Sequence, residues 1–83
     1  MKRIAVVSAI LEKPQTIQEE FNSIVAEFRG VVRGRMGIPA VEHGLSVICI
    51  TLDGTLDEIN TLTGRLGNLE GATVKTAISK EIA

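Results

Sequence analysis

Residues 43–53, His43-Gly44-Leu45-Ser46-Val47-Ile48-Cys49-Ile50-Thr51-Leu52-Asp53, constrain this chain more than any other stretch. The run is too short for a core helix, rich in β-branched residues, opened by a glycine and closed by Asp53-Gly54, so it predicts a strand. Side chains alternate along a strand, which sends Ser46, Ile48, Ile50 and Leu52 one way and Leu45, Val47, Cys49 and Thr51 the other. An antiparallel strand with solvent on one side alternates apolar and polar residues, and this one does not. It is expected to be covered, wholly or nearly, on both faces. Two helices in a chain of 83 residues can cover only one of them. The simplest cover for the other is a second copy of the same chain, and Val47, Cys49 and Ala9 are expected on that unshielded side.

The remaining elements follow from periodicity. Ile4 to Leu11 reads as a central strand with two apolar faces, Ile4, Val6 and Ile10 on one and Ala5, Val7, Ala9 and Leu11 on the other. Glu12-Lys13-Pro14-Gln15 breaks it. Thr16 and Glu19 have the spacing of a capping box, and Ile17, Phe21, Ile24, Val25 and Phe28 recur on one face of a helix over 16–29, stopped by Gly30. Val31 to Pro39 is a weaker strand, its glycines and Pro39 suiting an edge, joined through Ala40–Gly44 to the third strand as a hairpin. Asp53-Gly54 turns the chain, Thr55 and Glu58 repeat the capping box, and Ile59, Leu62, Leu66 and Leu69 mark a second helix over 56–69. Gly71 ends it, and a half-exposed strand runs from Ala72 to about Ser79, followed by a short tail.

The order is strand, helix, strand, strand, helix, strand. It predicts an α+β, ferredoxin-like βαββαβ sandwich: a four-stranded antiparallel sheet, first and third strands in the middle, with two helices on one face. The length fits one domain, residues 1–83. A core this small is marginal alone, and association is one way to stabilise it.

Composition excludes several classes. Nine basic and ten acidic residues leave a net charge of −1, so nucleic-acid binding would need a local patch. The apolar content, 45% of the chain, is aliphatic, with two Phe and no Trp or Tyr to stack on bases. Cys49 stands alone, which excludes an intramolecular disulfide. The amino-terminal apolar run lacks a cleavage pattern and reads as a strand, and no run approaches membrane-spanning length, so a cytoplasmic location is expected.

Few residues suggest chemistry. Arg33 and Arg35, on one face of a regular strand, together with Gly34, Met36 and Gly37, form the candidate ligand site: two guanidinium groups beside glycine backbone suit a carboxylate or phosphate. The plainer alternative is that both are solvated or paired with acids of a partner subunit. No phosphate loop follows them. His43 and Cys49 are too few for a tetrahedral zinc site, so no metal is expected, and no cofactor is identified. Asp53, Asp57 and Glu58 are accounted for as caps of the second helix, and Ser8, Ser46 and Cys49 have only His43 as an imidazole base. No catalytic residue emerges, and the chain is not expected to be an enzyme. An acylphosphatase-like activity shares the topology, but no arginine and asparagine pair is evident in the sequence.

Gly34-Arg35-Met36-Gly37-Ile38-Pro39, then Gly44, Asp53-Gly54, Asp57-Glu58-Ile59, Leu62-Thr63-Gly64, Leu66-Gly67, Gly71 and Val74-Lys75-Thr76-Ala77 resemble the small regulators of the iron-only hydrogenase system over nearly the whole chain. More distantly the chain is similar to ACT-like regulatory domains, which bind small ligands at subunit interfaces, and to the carboxy-terminal domain of nickel-responsive repressors, which assembles as a tetramer. These resemblances imply an ACT-like fold, homo-oligomers, and regulation. They do not carry the sites over. Where the amino-acid-binding domains have a glycine after the first strand this chain has Glu12-Lys13-Pro14, and Ile38, Ala40 and Ser46 stand roughly where the repressors have metal ligands. Within these residues none is left over for a ribbon-helix-helix module.

Three functions are therefore weighed. The first is a non-catalytic ligand-sensing domain, a dimer or tetramer holding a small molecule or anion between subunits. The second is a transcriptional regulator acting on DNA directly or through a DNA-binding partner. The third is an enzyme.

Overall fold

The computed structural model describes residues 1–40 and 43–81. Of the expected connection between the second and third strands, Val41 and Glu42 lie outside the described residues, as do Ile82 and Ala83 of the tail and the side chains of Pro39 and Ala40. The elements are β1 (Lys2–Glu12), α1 (Pro14–Ala26), β2 (Val32–Ala40), β3 (Leu45–Thr55), α2 (Leu56–Gly67) and β4 (Ala72–Ile78). The sheet order is β2-β3-β1-β4, every neighbouring pair antiparallel. This is the expected βαββαβ arrangement, with the two apolar strands central.

The register decides which faces are covered. Ala5, Val7, Ala9 and Leu11 of β1 stand opposite Leu52, Ile50, Ile48 and Ser46 of β3, and all eight are buried. Against them pack Phe21 and Val25 of α1, Ile59, Leu62 and Leu66 of α2, and Val31, forming one core. The other face of the two central strands carries Ile4, Val6, Ser8 and Ile10 beside Asp53, Thr51, Cys49 and Val47. No helix covers it. Ala9 was expected there with Val47 and Cys49; it lies instead on the helix side, fully buried opposite Ile48. Alternation fixes which residues of a strand share a side, and the neighbouring strands decide which side faces the helices.

Three further expectations are corrected. Helix α1 starts at Pro14, and Thr16 is not its cap: Lys13 takes that position in left-handed geometry (φ 53°, ψ 57°), and the Thr16 hydroxyl donates to the Lys13 carbonyl over 2.8 Å. Proline suits the first helical position because its missing N–H would have had no partner there. The helix also ends at Ala26, and turns over residues 27–31 replace its expected last residues. Finally, Asp53-Gly54 does not turn the chain. β3 continues through both, held by pairing of Gly54 with Arg3 and Thr55 with Lys2. Thr55 then caps α2 as expected, its hydroxyl accepting from the Glu58 N–H (3.1 Å) while the Glu58 carboxylate accepts from the Thr55 N–H (2.9 Å).

Candidate functional site

The residues singled out by sequence lie along β2, an edge strand, and a bulge divides them. Val32 pairs with Leu52 and Gly34 with Thr51, so Arg33 is the extra residue and the simple alternation expected of Arg33 and Arg35 is broken. Beyond the bulge Arg35 pairs with the buried Ile50 and Gly37 with Ile48, on the helix side. Gly34 and Met36 pair with Thr51 and Cys49 on the helix-free side.

Each arginine has local partners. Arg33 donates to the Gly30 carbonyl (3.0 Å) and reaches that of Val32 (3.5 Å), holding the approach to the strand. Arg35 lies over the Phe21 ring, 5.8 Å from its centroid, and donates to Asn22 Oδ1 at 2.6 Å. An arginine and an asparagine therefore do meet, across the α1–β2 junction, but the asparagine oxygen accepts from the arginine. Nothing in the spacing of Asn22 and Arg35 signals that contact, which depends on where α1 crosses the sheet. Both arginines remain exposed.

Among the described residues, cavities lie elsewhere. The first, about 540 Å³, sits where the β1–α1 turn meets the α2–β4 turn and is lined by Glu12, Lys13, Thr16, Glu20, Glu70 and Gly71 over an apolar floor of Ile17 and Leu69. Its rim is fixed by the Glu12 N–H donating to the Gly71 carbonyl over 2.7 Å, with Gly71 at φ +91°. The Glu12-Lys13-Pro14 stretch, which lacks the glycine of amino-acid-binding domains, nonetheless has the left-handed backbone at Lys13 that glycine accommodates most easily.

The second, about 480 Å³, lies along α1 among Glu19, Glu20, Ser23, Glu27 and Arg65. Arg65 and Glu27 form a bidentate pair at 2.7 and 2.9 Å, with Arg65 also 6.0 Å from the Phe28 ring centroid. That hydrogen-bonded partner holds the Glu27 carboxyl below its ordinary value and raises Arg65. The third, about 380 Å³, collects Lys2, Glu27, Asp53 and Glu58 at one end of the sheet, and Asp53 Oδ1 is buried without a donor among the described residues. Asp53 is thus part of β3, apart from the α2 cap where it was expected.

His43 lies in the turn before β3 and is exposed, while Cys49 is half-buried on the helix-free face. Ile38 is exposed on that face and Ser46 is buried on the other, so the two do not share a site. Among the described residues no three His, Cys, Asp or Glu are grouped as a metal site. Nor is any described helix long and apolar enough to cross a membrane.

The most extensive feature is the uncovered face itself. Three cross-strand rows run across it: Gly34, Thr51, Val6 and Ala77; Met36, Cys49, Ser8 and Lys75; Ile38, Val47, Ile10 and Thr73. Only Lys75 among these twelve is charged. Val6 and Ile10 are 43% and 42% exposed, and Met36 and Ile38 on the edge strand 59% and 55%.

Comparison with known proteins places this arrangement. A search of the curated proteins found no match. Among solved structures, uncharacterized protein TM1266 from Thermotoga maritima superposes with a TM-score of 0.91 at 28% sequence identity, the match covering 96% of this chain and 100% of that one. The family model TM1266-like, described as "Iron-only hydrogenase system regulator, putative", matches residues 3–76. Since that match takes in all but the ends of the chain, this protein belongs to the TM1266-like family of iron-only hydrogenase system regulators.

Proposed function

We propose that residues 1–83 form one ligand-sensing regulatory domain that works in the cytoplasm as a homo-oligomer, dimer or tetramer, in control of an iron-only hydrogenase system. The family is described as one of regulators, which supports a non-catalytic role. The observation that carries the rest is the two-sided sheet: one face holds the core, and the other displays the adjoining Ile38, Val47 and Ile10, flanked by Met36 and Val6 among small and uncharged polar residues. Contiguous apolar surface of this kind marks an interaction site.

The ligand in this reading is a small anion or metabolite on the β2 edge, at Arg33, Gly34, Arg35, Met36 and Gly37. Arg35 supports the placement, because Phe21 and Asn22 orient its guanidinium, the side chain is exposed, and the Asn22 bond uses only one of the five N–H donors of a guanidinium. Titration of phosphate, sulfate and small carboxylates into the protein tests it. Loss of a charged hydrogen bond in Arg35→Ala should weaken binding by about tenfold or more. Binding untouched in both Arg35→Ala and Arg33→Ala would put the ligand elsewhere.

A second location is favoured by the left-handed backbone at Lys13 and the cavity beside it. Glu12, Glu20 and Glu70 around one lysine would select a ligand carrying an amine. Glu70→Gln would then weaken binding and Arg35→Ala would not. Direct DNA contact is the alternative mode of regulation. The helix layer displays Glu19, Glu20, Glu27 and Asp57 and repels phosphate, which leaves the arginines of the β2 edge as the contact. A mobility shift on the upstream DNA that weakens steeply with salt would support it. No shift at low salt would leave regulation to a separate DNA-binding partner.

A further inference from the structure

The homo-oligomer of the preceding reading needs a contact surface, and the sheet offers three: its face, its β2 edge and its β4 edge. Both edges carry features that oppose strand addition. β2 is bent by the bulge at Arg33 and contains Pro39, which has no N–H to donate. β4 is short, seven residues, with Lys75 at its midpoint. Bulges, proline, lysine and short length are the devices by which sheet edges avoid pairing with other chains. Of these devices the face carries only Lys75, at its outer strand, and its two central strands carry none.

Size points the same way. Four strands at about 4.8 Å spacing and the eight steps from Leu45 to Asp53 at about 3.3 Å each give a face of roughly 500 Å², or about 1,000 Å² for two copies, the lower bound of a specific interface. A monomer of 8.9 kDa is expected to expose about 4,800 Å², whereas this chain exposes 5261 Å². The excess, about 450 Å², is of the order of the bare face.

We infer that a second copy of this chain docks on the helix-free face, sheet against sheet, with the Val6, Ser8 and Ile10 side of β1 and the Val47, Cys49 and Thr51 side of β3 at the centre of the contact. The central strands supply the interior of the interface and Lys75 lies at its rim, which matches the depletion of charge at the core of interfaces. The two copies present the same patch to each other, so the contact closes as a two-fold dimer and the helices of both stay outside. It leaves Arg35 and the cavity beside Lys13, on the helix side, open to ligand.

Sedimentation equilibrium of the full chain, from 1 to about 100 μM, tests this together with Ile10→Lys, Val6→Ser and, as a control on the helix layer, Glu19→Lys. Both face positions are exposed in the single chain, so the variants should keep the wild-type circular dichroism. The expected result is a dimer or a dimer-based assembly whose dissociation constant rises at least tenfold in Ile10→Lys, less in Val6→Ser, and not in Glu19→Lys. A second readout needs no substitution: alkylation of Cys49 by iodoacetamide should slow severalfold as wild-type protein is concentrated across the transition, and should not do so in Ile10→Lys. An assembly that survives both face variants, or a Cys49 rate independent of concentration in an assembling protein, would overturn the docking face while leaving the regulatory oligomer intact. A wild-type protein monomeric throughout would overturn both. Ligand binding by Arg35 is measured separately and depends on neither result.

Discussion

Gly54 and Lys13 are the two residues at which backbone and neighbours leave the least choice, and sequence reasoning treated both as parts of turns. Gly54 is buried inside β3, and a Cβ built there would stand 2.8 Å from Val31 Cγ1 and 3.0 Å from Glu58 Oε1. Val31 is itself buried and β-branched, so it cannot swing away. Gly54→Ala should destabilise the fold by about 1–3 kcal/mol, the usual cost of overpacking, measured by urea unfolding. Lys13 has the opposite problem. A left-handed conformation costs a side chain about 1–2 kcal/mol, of which glycine recovers most and returns part as unfolded-state entropy. Lys13→Gly should therefore stabilise by up to about 1 kcal/mol, seen as a melting point a few degrees higher. A lower melting point would mean that the lysine side chain contributes more than its backbone costs.

The cap of helix α2 was legible in the sequence and that of α1 was not, although the apolar face of α1, Phe21 and Val25 with Ile17, Ile24 and Phe28, packs as its spacing predicts. The Thr55–Glu58 box follows from Thr-x-x-Glu spacing, and Thr55→Ala should cost about 1 kcal/mol of stability. Glu58 has its carboxyl held below 4.5, first by the Thr55 N–H, and Glu27 likewise by Arg65. Both folded values are depressed, so their contribution is complete above about pH 4.5 and is lost as pH falls through the folded values. Urea midpoints should decline below that pH, with a shallower decline in Glu27→Gln and in Glu58→Gln; unchanged slopes would mean that neither contact persists in solution. At α1 the same Thr-x-x-Glu pattern, Thr16 and Glu19, misleads because Lys13 adopts a conformation lysine rarely takes and Pro14 starts the helix two residues earlier. The strands divide in the same way. Their order and central pair were readable because apolar alternation is a local property of each strand. The Asp53-Gly54 turn and the shared face of Arg33 and Arg35 were misread because pairing overrides local preference: β1 carries β3 through Gly54, and the bulge shifts β2 by one residue. Of the candidate ligand residues, the sequence located the arginines on an edge strand but held no sign of Asn22 and Phe21, which orient Arg35 from another element.

Taken as one body, the molecule is two layers, helices on one sheet face, with the other sheet face open. The core lies between two helices and one sheet face, and the other face presents Val6, Ile10, Met36, Ile38, Val47 and Cys49 without a layer over them among the described residues. If a second copy supplies that layer, folding and association are linked, because a partner that binds only the folded chain raises its stability with concentration. For a dimer that unfolds to two chains, a tenfold rise in concentration adds about 1.4 kcal/mol per dimer, roughly 0.7 kcal/mol per chain, which moves the melting point of a chain this size by about 3–5 °C. Wild-type protein melted at 5 and 50 μM should show that displacement. Ile10→Lys should melt at one temperature at both concentrations, lower than wild type at 50 μM, because Ile10 lies outside the core and its replacement removes the partner rather than packing within the chain. A wild-type midpoint that ignores concentration would mean that the core between helices and sheet is sufficient alone, and that the aliphatic rows on the open face serve something other than the stability of the fold.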